Sequence, residues 1–331
     1  NNQVDDFTVS GVVFSDCYGG NLRCFSITAY NSFTFYNNTV RDNTLGNYLG
    51  TITFSSKPEN DPFTFDSCKW INNKCNSGYG GGAGLWLLHN DFKFIDCSFD
   101  SNSQYSKGEK HSGYGGGFQD GDSTNTKDKQ LTIDHCTFNN NQAEKSGGAL
   151  ALETIQPWTV TGCTFHNNRA NGTVNNQEGG GAIFIDSQSA SFEASIADCD
   201  FDSNIADSER GTALYILSSS QSHITFDGSN TVTNKGERGS TITSQCGDLI
   251  VEGVAFSFQP LQGSSTVNNF RALELLDNSG TTINSCTFTG TGYTNNVPDG
   301  QAILSFAAKT ISIDQSTFTD IFTCTHYKLG S

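Results

Sequence analysis

Eleven cysteines, thirty-four carboxylates and six histidines are the side chains of this 331-residue sequence that could do chemistry. Cys68, Cys97, Cys136, Cys163 and Cys199 recur at one position of a repeated pattern, and Cys286 returns to it. A structural zinc site draws on Cys or His residues paired at short spacing. One cysteine per repeat makes a line instead, so these thiols read as small buried hydrophobes stacked on one another. Outside that line, Cys17 and Cys24 share the Cys-x₆-Cys spacing of Cys68 and Cys75 and make the best single disulfide. The odd total leaves at least one thiol free.

Two carboxylates hold one position in neighbouring repeats: Glu153, ending GALALE, and Asp186, ending GAIFID. Asp120 and Asp122 stand near that position one repeat earlier, and His89 one repeat before that. Converging carboxylates are what calcium binding or glycoside cleavage requires. The enzyme alternative is therefore a polysaccharide lyase or glycoside hydrolase acting through Glu153, Asp186 and Asp120. The metal alternative is calcium held by Asp120, Asp122, Glu153 and Asp186. Against both, acids that end a strand are ordinary turn residues, and no Arg falls in the column. Asp66, Asp134, Asp227, Glu252 and Asp314 begin turns and are expected to form no compact cluster. A non-catalytic protein is the favoured class.

The elements that must position these residues follow from one stretch, 131–153, LTIDHCTFNNNQAEKSGGALALE, which the rest of the chain repeats. Its order is an alternating apolar run, a turn, Cys-x-Phe, then Asn, a polar loop, and Gly-Gly-Ala entering a further apolar run. The order returns from Phe63, Phe92, Trp158, Ala194 and Thr281, and more weakly from Phe7, Phe33, Ile224, Leu249 and Ile311. About eleven copies of roughly 25 to 39 residues point to a solenoid. Hairpin signals for a propeller blade are missing. The expected fold is all-β: one single-stranded, right-handed parallel β-helix of about eleven coils with three short strands per coil. Coils stack at about 4.8 Å, so equivalent residues form ladders. Trp70, Phe99, Phe138, Phe165, Phe201, Phe288 and Phe318 should make an inward aromatic ladder, and Asn73, Asn102, Asn141, Asn168 and Asn204 an amide ladder at a turn. Ser229, Val254 and Ser316 stand where later copies lose the cysteine.

The repeat runs end to end, so one domain is expected over 1–327. Residues 1–30 form an atypical terminal coil, 63–217 form the regular core, and 328–331 (KLGS) resemble a cloning scar. With no Met and no signal peptide, the sequence is expected to start at a processed or cloned end. A net charge of −16, not blocked into tails, disfavours nucleic acid and anionic membrane as partners. No apolar run approaches the ~18 residues of a membrane span. Loops after the Asn vary most, notably 103–114 and 169–178, and insertions at one repeat position should project from one edge. That edge carries Tyr79, Tyr105, His111 and Tyr114 among Ser, Gly and Asn, a composition suited to adaptable recognition of proteins or glycans. Asn37-Asn38-Thr39 and Asn171-Gly172-Thr173 are glycosylation sequons, Asn171 lying in a loop that must be exposed.

The Cys-x-Phe-x-x-Asn and Gly-Gly-Ala-apolar half-motifs resemble the repeats of chlamydial polymorphic outer-membrane proteins, and of similar surface proteins in archaea and protists. Phe138, Asn141 and Gly147-Gly148-Ala149-Leu150 carry the likeness, as do Phe165, Asn168 and Gly180-Gly181-Ala182-Ile183. The resemblance covers most of the chain. It implies an adhesin or structural stalk, extracellular or on the cell surface, meeting a host or neighbouring-cell surface protein or glycan. End-to-end self-association into a filament is the alternative within the same class. No cofactor is expected apart from the calcium alternative, and no direct membrane insertion by this segment.

Overall fold

The coil that starts at Leu131 shows how each turn is built. The computed structural model describes residues 4–19, 25–27, 30–45, 52–54, 63–76, 81–83, 85–86, 91–105, 113–120, 130–152, 157–173, 178–187, 191–234, 239–259, 270–290, 301–319 and 323–326. In this coil a first strand, Leu131–Asp134, alternates buried and half-buried residues. His135 then takes a left-handed backbone (φ 50°), and Cys136 turns inward. A second strand, Thr137–Asn139, ends at another left-handed residue, Asn140 (φ 55°), followed by the buried Asn141. A third strand of two residues, Gln142–Ala143, leads through a loop to a third left-handed corner at Gly147 (φ 68°). The fourth strand is Leu150–Leu152.

Strands at equivalent positions pair in parallel between coils and make four sheets, or faces. Three faces hold eleven strands each and the third holds seven. Among the described residues there is no helix. The fold is thus the expected β-solenoid, and the eleven-stranded faces match the eleven copies. The three strands expected per coil become four wherever the short third strand forms. It is only two residues long, too short to show a period in the sequence.

A corner in left-handed backbone costs about 1–2 kcal/mol for a residue with a Cβ, and it leaves backbone N–H and C=O groups facing the interior. The asparagine ladder satisfies them. Asn102 donates its backbone N–H and its side-chain Nδ2 to Asn141 Oδ1, each at 3.1 Å, and donates Nδ2 again to the Trp70 carbonyl at 2.9 Å. The same set joins Asn73 to Asn102, Asn141 to Asn168 and Asn168 to Asn204. Asn43 extends the ladder upward, and the Cys17 N–H meets Asn43 Oδ1 at 2.9 Å. Cys17 therefore stands in the asparagine column while Cys68 stands in the cysteine column. The shared Cys-x₆-Cys spacing is not a shared structural position.

The cysteine column performs the same task at the first corner. Cys136 and Cys163 donate backbone N–H to the sulfur of the next rung at 3.3 and 3.4 Å, while the thiols donate to backbone carbonyls. Asn38 and Asn230 occupy this column too: Val12 N–H donates to Asn38 Oδ1, and Cys199 N–H to Asn230 Oδ1 at 2.7 Å. Asn230, not Ser229, replaces the cysteine; Ser229 is an inserted corner residue, because Thr231 pairs with Asp200. The thiols are thus hydrogen-bonding members of the corner as well as buried packing.

The aromatic ladder stands as expected. Trp70, Phe99, Phe138, Phe165 and Phe201 stack at 4.6 to 4.9 Å with rings nearly parallel. Val232 interrupts it, and Phe256, Phe288 and Phe318 resume it at 4.9 and 4.7 Å. Offset stacks of this kind add about 0.5–1.5 kcal/mol per pair beyond burial.

Asn141→Ala removes the acceptor for two Asn102 donors and the donor for the Phe99 carbonyl. It should cost about 2–4 kcal/mol, read as a lower urea midpoint at unchanged slope. Cys286→Ser should cost less than about 1.5 kcal/mol in the same assay, because Ser316 already accepts the Cys286 N–H one coil on.

Candidate binding edge and outer face

The nine described cysteines carry free thiols, and all but Cys17 are buried. Burial pushes Cys136 up, helped by the neighbouring Cys163 thiol, and pushes Cys246 up to about 12. Cys136 and Cys246, while held protonated, are neither nucleophile nor ligand, whereas the hydrogen bonds of Cys136 and Cys199 bring the Cys163 thiol down to about 5. Cys17 Sγ lies 3.7 Å from the Ser15 carbonyl. Cys24, its expected disulfide partner, lies outside the described residues.

The carboxylate constellation is only partly assembled. On the fourth face Asp120 pairs with Leu152, and Leu152 with Ile185. Asp120 therefore sits one residue short of the Asp186 position, on the inward side, and is 1 % exposed. A one-residue step in a strand reverses the face, so Asp120 and Asp186 do not converge. The extrapolated pairing of Glu153 with Asp186 fits this register, but Glu153, Asp122 and His89 lie outside the described residues. Among those described, no three His, Cys, Asp or Glu side chains gather as a metal would need. The turn acids do cluster once. Asp227 precedes a corner beside Glu252 and Asp198, and burial first, then these two charges, push its carboxyl up. Asp227 Oδ1 is buried with no hydrogen-bond partner among the described residues.

Of the residues expected at the edge, Tyr105 stands in a column of equivalent positions. Backbone rungs run from Asn76 to Leu45, from Tyr105 to Cys75, from Glu144 to Gln104, from Asn171 to Ala143 and from Asp207 to Ala170, at 2.8 to 2.9 Å. These bonds place Asn76, Tyr105, Glu144, Asn171 and Asp207 in one column over five successive coils, at the end of the third face. Tyr105, Glu144 and Asp207 are exposed and Asn171 is half-buried. Arg169 pairs with Asp207 through one nitrogen at 2.8 and 3.0 Å. Tyr79 and His111 lie outside the described residues. Asn37 is exposed but forms a left-handed corner (φ 50°).

Tyr114 does not join that column. Its half-buried ring stacks on Phe184 at 5.8 Å, and Lys145 Nζ stands 5.0 Å from its centroid. It helps cover a second small core on the outer side of the fourth face: Ala151, Phe184, Tyr215 and Leu217. The outward positions there are Gln119, Ala151, Phe184, Tyr215, Thr243, Glu274 and Leu304, and none is more than 4 % exposed. The Asp186 column itself continues through Leu217 and Gln245 without an Arg, but two arginines stand elsewhere on this face. Arg271 donates to Glu274 at 3.2 Å, Thr243 donates to the other oxygen of Glu274 at 3.3 Å, and Arg210 stands beside Tyr215. Burial pushes the Tyr215 hydroxyl up while the Arg210 guanidinium opposes it, so the hydroxyl stays protonated. The sequence signal for this second core was the unbroken apolar run LYIL, which fits a strand buried on both sides.

Compared with protein-family models, with curated proteins and with solved structures, the chain matches none. No helix among the described residues is long and apolar enough to cross a membrane.

A carboxyl raised in the folded state stabilises below its unfolded pKa, ordinarily 3.8 for Asp, and that stabilisation is lost as pH rises through the folded value. Asp227→Asn should therefore raise the urea midpoint at pH 7. It should also shrink the stability that the wild type gains on acidification from neutral pH towards 3.8.

Proposed function

We propose that the protein is a non-catalytic recognition scaffold, extracellular or displayed on a cell surface. Its stacked coils present a binding edge to a protein or glycan of a host or neighbouring cell. The observation that carries this reading is the column Asn76–Tyr105–Glu144–Asn171–Asp207. It repeats from coil to coil, lies at the roots of the most variable loops, and mixes an exposed aromatic with small polar and charged groups. The column thiols and amides are taken up in corner hydrogen bonds, and among the described residues none is paired with a base as a nucleophile would be. The acidic surface suits a neutral or basic partner surface. A glycan on Asn171 would stand within the same column and would shield or extend it.

Gln104 is inward and 0 % exposed, so a loop deletion has to begin after Tyr105. Removing residues 106–112 together with Tyr105→Ala should weaken binding to target cells or arrayed glycans at least roughly tenfold, as expected for loss of an aromatic hot spot. The urea midpoint should stay within about 0.5 kcal/mol of wild type, as for other surface changes. Unchanged binding would exclude the edge, and cleavage of any polysaccharide by the wild type would exclude a non-catalytic scaffold.

A further inference from the structure

We propose that the thiol row Cys68–Cys97–Cys136–Cys163–Cys199 is a binding site for monovalent soft cations such as Cu(I), each held in line between two successive sulfurs. The row is straight because its members are equivalent. Every one of these sulfurs lies 3.1 to 3.4 Å from the carbonyl two residues before it. Cys68, Cys97, Cys163 and Cys199 also lie 3.0 to 3.7 Å from a carbonyl of the preceding coil, those of Phe35, Phe65, Ile133 and Val160. The strands on either side of this corner pair residue for residue from coil to coil. Each sulfur is therefore displaced from the next by one coil spacing, about 4.8 Å. Asn38 and Asn230 close the row at its two ends.

That spacing selects the ligand. Metal–thiolate bonds are about 2.3 Å long, so an ion in line between two sulfurs spans roughly 4.6 Å. Zinc and calcium ask for more ligands than a line supplies, and no three suitable side chains gather among the described residues. A soft monovalent ion asks for two sulfurs only, and thiolate ligands select Cu(I). Each ion enters as one thiol proton leaves, so the dry interior keeps its charge and no electron is transferred. The way in is short. Asp96, His135 and Asp198 are exposed and directly precede Cys97, Cys136 and Cys199, which puts those sulfurs one residue beneath the surface. Cys286 shares the column, but its neighbours there are Val254 and Ser316, so it has no sulfur in line. The site is separate from the edge at Tyr105 and stands whether or not that edge binds a partner.

The reduced, folded protein is titrated without oxygen with Cu(I), Ag(I) or Zn(II) in the presence of excess monothiol competitor. Binding is read from the ultraviolet thiolate-to-metal band, and sulfur coordination from X-ray absorption. Cu(I) and Ag(I) should be retained with two sulfur neighbours each and release about one proton per ion. Zn(II) should be lost to the competitor. Two double variants remove equal numbers of thiols. Cys97→Ser with Cys163→Ser leaves no two row sulfurs adjacent and should abolish retention by the row. Cys68→Ser with Cys199→Ser leaves Cys97, Cys136 and Cys163 adjacent and should keep about half of it, two of the four gaps between the five sulfurs. Serine serves this corner already, since Ser316 accepts the Cys286 N–H, and urea midpoints check that both variants fold. The cysteines outside the row are common to both and cancel. The proposal is overturned if neither Cu(I) nor Ag(I) outlasts the competitor, or if Zn(II) is retained as well as they are. It is equally overturned if the ion in the wild type shows any sulfur count but two, or if the folded double variants bind alike.

Discussion

The constraint on which this structure rests is that every coil must turn corners in left-handed backbone while its interior stays dry. Each corner leaves backbone groups pointing inward, and a buried N–H or C=O left unmade costs as much as a lost hydrogen bond. A side chain that both donates and accepts, placed directly after the corner, solves this once per coil and hands the same problem to the next rung. Asn141 accepts from Asn102 and donates to Asn168 and to the Phe99 carbonyl. The ladder is therefore a chain of mutual dependence, and the registers of the aromatic stack and of the flanking sheets follow from it.

Seen this way, the cysteine column is the second solution to one problem. A thiol is a weaker donor and acceptor than an amide, yet it fits the same geometry in less space. That explains why Asn38 and Asn230 can stand in the cysteine column, and why Cys17 can stand at the head of the asparagine column. It also explains a row of thiols in which, among the described residues, no three gather in a metal geometry.

How much of this was legible in the sequence depended on period. Wherever the short third strand forms, the Cys-x-Phe and Asn positions are fixed by two corners separated by a three-residue strand, so their ladders could be aligned in the sequence, including Val40 and Asn43 in the weak second copy. Where a corner gains a residue, as at Gly228–Ser229, alignment by motif picks the wrong member, and only the hydrogen bond from Cys199 to Asn230 corrects it. The same limit misplaced Asp120. It ends a strand like Glu153 and Asp186, but variable loops on both sides hide its register by one residue, and one residue reverses the face. The outer face was missed for a different reason. Phe184 and Tyr215 read as part of an apolar strand, whereas the groups around them share no motif: Arg210 lies in the loop before Tyr215 and Glu274 comes from two coils on.

The glycine pair before the fourth strand explains why function can vary without disturbing the stack. Gly147 takes the third left-handed corner, and Gly148 packs so tightly that a Cβ would lie 2.1 Å from the Gly181 carbonyl and 2.4 Å from the Arg169 N–H nitrogen. The segment therefore locks onto the next coil by backbone alone, with Gly147 N–H bonded to the Gly179 carbonyl and Gly148 N–H to that of Gly180. Whatever length of chain lies between the asparagine and this pair, register is restored before the fourth strand begins. Lengthening a loop costs little in closure entropy, about 0.6 kcal/mol per doubling, so the stack takes far longer insertions there than the single residue gained at the Gly228–Ser229 corner. The Tyr105–Glu144–Asn171–Asp207 column sits at the start of those loops, and the Arg210–Tyr215 pair lies just past their end. The places where this fold is free to change length are thus the places where polar and aromatic side chains gather.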